Sequence, residues 1–127
     1  MAARSRFTGL APQFVVADVV KTAEFYRDKL GFEICGFFLD PPVFAIVRRG
    51  AAELHFGKAD GDRTQMNEQV RRGLGTDAYI FVSDIESLRD ELTANNVEIV
   101  EGPIKRAYDR VEITIKDCNG FQLVFGQ

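Results

Sequence analysis

His55 is the only histidine in the chain, and Glu53 stands two residues before it. In extended structure, residues two apart share a face, so this imidazole and carboxylate fall side by side. On that face His55 can touch a ligand or donate to a divalent ion. A lone imidazole makes a weak metal site, because a catalytic zinc normally keeps three protein ligands, and contact with a ligand is the better reading of His55. Asp77 can bind a cation or a ligand amine, and can equally act as a turn or cap residue. Tyr79, Phe81 and Tyr108 carry rings that can stack on a planar or cationic group or fill a core. Phe37, Phe38 and Phe44 pose the same choice, and the adjacent pair Phe37 and Phe38 must put one ring on each face of a strand. Arg106 and Arg110 suit an anionic group or plain solvation. Cys35 and Cys118 lack C-x-x-C spacing and are expected to be free thiols. Nothing beside Cys118 in sequence activates it as a nucleophile, and no order of serine, histidine and acid suggests a triad.

The elements that must hold these residues follow from periodicity. Leu10 to Val16 reads as a strand, and Asp18 caps an apolar periodicity at Val19, Ala23, Tyr26 and Leu30 that Gly31 stops. Three β-rich stretches come next, about Phe32 to Leu39, Val43 to Arg48 and Ala52 to Phe56, divided by Asp40-Pro41-Pro42 and Arg49-Gly50. Lys58 to Gly75 is polar and reads as a linker, with room for a short helix around Gln65 to Arg72. The pattern then restarts. Asp77 to Val82 alternates, Ser83 to Glu86 has capping-box spacing, and Ile85, Leu88 and Leu92 form an apolar stripe that ends at Asn95-Asn96. Val97 to Val100, Tyr108 to Ile115 and Phe121 to Phe125 complete a second set of strands.

The repetition can be checked in register. Val16-Ala17-Asp18 matches Val82-Ser83-Asp84 at an offset of 66, and Glu53-Leu54-His55-Phe56-Gly57 matches Gln122-Leu123-Val124-Phe125-Gly126 at an offset of 69. The expected fold is therefore α+β, with two tandem β-α-β-β-β modules forming curled mixed sheets around a cavity and helices on the outside. All 127 residues read as a single domain, with module one at about 7–57, a linker at about 58–75 and module two at about 76–127. If Leu54 and Phe56 pack on the helix, Glu53 and His55 face the cavity, and by the same parity so do Gln122 and Val124. On the opening strands Phe14, Val16, Ile80 and Val82 suit the helix side, which leaves Ala11, Gln13, Asp77, Tyr79 and Phe81 for the cavity.

Composition narrows the function classes. Of the 127 residues 46% are hydrophobic and 28% charged, a balance that folds rather than stays disordered. Eleven phenylalanines and no tryptophan must furnish a core or a pocket wall. A net charge of −3 with scattered basic residues gives no footprint for nucleic acid. No apolar run is long enough to cross a bilayer, and no h-region follows the N-terminus, so a cytoplasmic protein is expected.

At this point the chain resembles the vicinal-oxygen-chelate superfamily, which includes glyoxalase I, extradiol dioxygenases, fosfomycin-resistance transferases and bleomycin-resistance proteins. The resemblance is carried by Val16-Ala17-Asp18, the segment from Ala23 through Gly31 to Phe32, Arg48-Arg49-Gly50 before Glu53-Leu54-His55-Phe56, and Asp117-Cys118-Asn119-Gly120. It is nearest to the bleomycin-resistance-like branch. It implies homodimers, and in the enzymes a divalent metal held by His and Glu from the first and last strands of each module. The equivalent positions here are Ala11, His55, Asp77 and Val124, of which two are hydrocarbon. The resulting expectation is a metal-independent protein that sequesters a small, partly aromatic molecule between its modules, with no cofactor and with Gln13, Glu53, His55, Asp77, Tyr79, Phe81, Tyr108 and Gln122 contacting it. One alternative is a metal-dependent lyase, isomerase or dioxygenase with an altered ligand set based on His55 and Asp77. Another is a non-catalytic interaction module.

Overall fold

The structure is a computed structural model, and it describes residues 4–61, 64–72 and 75–127. The first module opens with β1 (Gln13–Val16), which buries Phe14 and Val16 and leaves Gln13 and Val15 exposed. Asp18 caps α1 (Val19–Leu30) by accepting from the Lys21 amide at 3.0 Å, and Gly31 ends the helix at a φ of 71°, where a residue without Cβ fits best. The strands β2 (Glu33–Phe38), β3 (Phe44–Arg49) and β4 (Ala52–Lys58) complete a mixed sheet in the order β1-β4-β3-β2, with β1 parallel to β4. A short α2 (Asn67–Val70) lies within the linker. The second module repeats the plan with β5 (Ala78–Phe81), α3 (Ile85–Ala94), β6 (Ile99–Lys105), β7 (Val111–Lys116) and β8 (Gln122–Gly126), in the order β5-β8-β7-β6.

The structure differs from the periodicity reading in three places. The N-cap of α3 is Asp84, which accepts from both the amide and the hydroxyl of Ser87, so both module helices are capped by the aspartate of the repeated motif. The strand expected from Tyr108 starts only at Val111, because Asp109 takes a φ of 65° in a hairpin closed by the Arg106 amide on the Arg110 carbonyl at 2.7 Å. Finally, β6 continues through Gly102-Pro103, a dipeptide that reads as a strand breaker. It is tolerated because β6 is an edge strand and its register shifts at that point. Of the linker, residues 62, 63, 73 and 74 lie outside the described residues, as do residues 1–3 of the N-terminal segment.

Among the described residues the two sheets share no strand pairing and are not closed into one barrel. What joins the modules is a common core of helix-facing residues, including Phe56, Tyr26 and Leu54 from the first and Ile113, Ile115 and Leu123 from the second. Phe14 stacks on Phe121 across the boundary at 4.4 Å between ring centroids. The helix ends meet reciprocally: Lys29 Nζ donates to the Asn95 carbonyl and Asn95 Nδ2 to the Lys29 carbonyl, each at 3.1 Å. Arg49 grips Glu91 through both guanidinium nitrogens at 2.8 and 2.9 Å. Both partners of that ion pair are substantially exposed, so it contributes only about 0–1 kcal/mol.

The stronger polar link is buried. The Tyr26 hydroxyl, on α1, donates to Asp117 Oδ2 at 2.7 Å, while Asp117 Oδ1 accepts from the Asn119 and Phe121 amides at 2.9 and 3.0 Å. A side chain of module one thereby completes the turn that launches the last strand of module two. Burial, the largest influence, raises the Asp117 carboxyl above its ordinary range although hydrogen bonds from Tyr26 and the turn amides pull the other way.

Two expected outcomes follow from this contact. Tyr26→Phe keeps the ring but orphans a buried carboxylate oxygen, and should lower unfolding free energy by about 1–3 kcal/mol in urea titrations. Because the folded-state pKa of Asp117 is raised, its contribution to stability is full below its unfolded pKa and is lost as pH rises through the folded value. Asp117→Asn cannot titrate, so the variant's urea midpoint should gain on that of the native protein between acid and neutral pH; a constant difference would contradict this account.

Candidate functional site

Each helix covers one face of its sheet, and the residues of interest lie on the other. In the first sheet, Gln13 is opposite His55, which is opposite Ile46, and one row away Phe44 pairs with Gly57. His55 Nε2 is 2.7 Å from Glu53 Oε2, and the Phe44 ring meets the imidazole edge to face at 5.4 Å. Phe38 lies 6.0 Å from Phe44 between centroids. This face thus offers one polar couple, His55 and Glu53, with an amide beside it and apolar rings beyond. All of these side chains are at least partly exposed.

The second sheet carries a different set. Tyr79 is opposite Val124 and Phe81 opposite Gly126, which in turn pairs with Glu112. Glu112 is only 3% exposed, shielded by rings lying over the sheet. Its Oε2 accepts from the Tyr79 hydroxyl at 2.7 Å and from the Tyr108 hydroxyl, and its Oε1 accepts from Arg106 Nε at 2.9 Å. Burial pushes the Glu112 carboxyl up, but the donors Tyr108, Tyr79 and Arg106 outweigh it and hold it below the usual range. The Tyr79 phenol is pushed up to about 12, first by burial and then by its bond to this carboxylate. Tyr108 also moves up, its bond to Glu112 being the main cause. Arg106 reaches Glu101 with its other arm, so its fork is committed within the chain. The guanidinium of Arg110 lies over the Phe81 ring, 5.0 Å from its centroid.

The repeat glycines explain how first-strand side chains reach across these faces. A Cβ at Gly57 would crowd the Gln13 amide, and one at Gly126 would overlap the Tyr79 hydroxyl. The same position in each module is therefore kept bare so that a polar side chain from the first strand can cross the last one.

Asp77 and Gln122 form a third group. Asp77 Oδ1 accepts from the Asn67 amide and Oδ2 from the Gln122 amide, each at 2.9 Å, and the Asp77 amide donates to the Gln122 carbonyl. The carboxylate thus pins α2 and the start of β8 to the head of β5. The eight residues expected to contact a ligand fall into three sets: Gln13, Glu53 and His55 on the first face, Tyr79, Phe81 and Tyr108 on the second, and Asp77 with Gln122 between strand ends. The eight do not all line one cavity. Glu53, Asp77, Tyr79 and Phe81 border a cleft of about 830 Å³ together with Arg49, while Gln13 and Asp77 border another of about 1080 Å³ with Val15 and Gln69; His55, Tyr108 and Gln122 line neither. Glu112 escaped the sequence reading. Its one signal is a carboxylate in phase with Thr114 within Val111-Glu112-Ile113-Thr114-Ile115, on the face away from the buried isoleucines.

The divalent ion implied by the family resemblance does not fit this donor set. Ala11 and Val124 have no lone pair, both Asp77 oxygens accept backbone amides, and His55 is left with Glu53. Among the described residues no three His, Cys, Asp or Glu side chains gather in a metal-binding arrangement.

Solved structures with the same architecture include TioX from Micromonospora sp. ML1, with a TM-score of 0.75 at 14% identity over 95% of this chain and 98% of that one. A glyoxalase-related enzyme from Clostridium phytofermentans gives 0.74 at 14% identity, covering 96% and 95%. The bleomycin-binding protein of bleomycin-producing Streptomyces verticillus, solved with copper(II)-bleomycin, gives 0.69 at 24% identity, covering 96% and 97%. At such identities these likenesses establish the fold. No curated protein matches the chain in sequence. A family model does, over residues 10–125, and the chain with its two β-α-β-β-β modules belongs to the Glyoxalase/Bleomycin resistance protein/Dioxygenase superfamily.

Proposed function

We propose that this protein binds and sequesters a small, partly aromatic molecule on the open faces of its sheets, without a metal ion, and works as a homodimer in the cytoplasm. The observation that carries the reading is the pair of polar and aromatic sets on these faces: His55 with Glu53 and Phe44 on one, Tyr79 with Glu112, Tyr108 and Phe81 on the other. The rings of Phe81 and Tyr108 remain 69% and 63% exposed, so core packing does not account for them. Hydrogen bonds nevertheless fix the polar members, which is the preorganisation a binding site needs. The likeness to a bleomycin-binding protein supports a small-molecule ligand, and the absence of a fitting donor set among the described residues supports binding over metal-assisted chemistry. Exposed Val15 and Phe38 on the first face support a second copy as the wall that encloses the ligand. No helix among the described residues is long and apolar enough to cross a membrane.

Thermal-shift and calorimetric titrations with a panel of aromatic small molecules, bleomycin included, should find a ligand that stabilises the protein and keeps doing so in excess EDTA. Stoichiometric bound metal whose removal abolishes the shift would defeat the metal-independent reading. His55→Ala should weaken the best ligand about tenfold with little change in melting temperature. Sedimentation should show a dimer, and Phe38→Glu should shift it towards monomer.

A further inference from the structure

Proton direction gives the second face a chemical polarity. Glu112, ionised and below its usual range, can only accept, so the hydrogen bonds from Tyr79 and Tyr108 require both phenol protons to point at it. Each phenol oxygen then has only lone pairs left for anything arriving from solvent. Beside them the Phe81 ring, with its centroid 5.2 Å from that of Tyr79, offers the electron-rich face of an aromatic quadrupole. The neighbouring charges are already paired: Arg106 with Glu112 and Glu101, and Lys105 with Asp109 at 3.4 Å. What this patch shows to a ligand is acceptor oxygens and π density.

One cation already sits there. The Arg110 guanidinium, which makes no ion pair among the described residues, rests over Phe81 from the hairpin that also carries Tyr108. Its position demonstrates that this ring face holds a planar, N–H-donating cation, and a hairpin side chain can be displaced without disturbing either sheet. We infer that the open face of the second sheet is a cation site, taking a protonated amine or amidinium group of the ligand against Phe81 and the phenol oxygens of Tyr79 and Tyr108, with Arg110 as its resident in the free protein. The inference rests on the proposed ligand-binding role and adds to it the charge of the group bound at this face.

The test uses three probes of like size, benzylammonium, benzyl alcohol and benzoate, titrated into the isotopically labelled full chain while the amide signals of Tyr79, Phe81, Tyr108 and Glu112 are followed by NMR. Benzylammonium should bind this face at least about fivefold more tightly than benzyl alcohol, and benzoate should bind weakest. Arg110→Ala should tighten benzylammonium binding by a few fold by vacating the ring face. Phe81→Leu, which keeps apolar bulk but removes the ring, should erase the preference for the cation while leaving benzyl alcohol little changed. If benzyl alcohol or benzoate binds here as well as benzylammonium, or Arg110→Ala weakens the cation, the cation site is refuted and ligand binding at this face stands. If none of the three moves these signals in the native protein or in Arg110→Ala, the ligand-binding role of this face falls together with the inference.

Discussion

A four-stranded sheet covered by one helix has a second face that the helix cannot reach, and this chain has built that situation twice. Strand alternation sends every other side chain into the helix side, and those positions are filled by Val16, Leu54, Phe56, Ile113, Ile115 and Leu123, all essentially inaccessible. The intervening positions are released from packing duty by the same geometry. Core and site are therefore two readings of the same strands, and residues one apart, such as Leu54 and His55, answer to different constraints.

The released positions have diverged between the modules. Register equates Gln13 with Tyr79, His55 with Val124 and Phe44 with Glu112. A basic ring in one module is matched by hydrocarbon in the other, and an apolar ring by a carboxylate. The helix-side positions kept their apolar character while the open ones exchanged chemistry, as expected where one set must pack in a shared core and the other answers mainly to its partners on the sheet surface. The result is two faces of unlike character instead of a symmetric pair, and that asymmetry removes the four-cornered donor set a shared metal would need.

Much of this was legible in the chain before any coordinates. Periodicity identified Asp18 as the cap of the first helix, though it put the start of the second at Ser83 where Asp84 caps it, and strand parity separated Leu54 and Phe56 from Glu53 and His55. What stayed hidden involved partners distant in sequence. That both Asp77 oxygens hold backbone amides depends on Asn67 and Gln122, which no local pattern brings near it. Glu112 looked like one more polar residue in an alternating strand, because its donors come from another strand and from a hairpin. The passage of β6 through Gly102-Pro103 was masked by the ordinary meaning of those two residues as breakers, which lapses at a sheet edge.

The bare glycines at 57 and 126 have an evolutionary consequence. Each is required only while a long polar side chain from the first strand lies across it, Gln13 over one and Tyr79 over the other. Gly126 and its overlying residue are thus one unit of selection. Along the lineage a larger residue at 126 becomes acceptable only after the Tyr79 ring has been replaced by something shorter, whereas at 57 the end of the flexible Gln13 side chain can swing aside. Divergent members of the fold should then show correlated changes at 79 and 126, and that pair would record whether the second face has been remodelled.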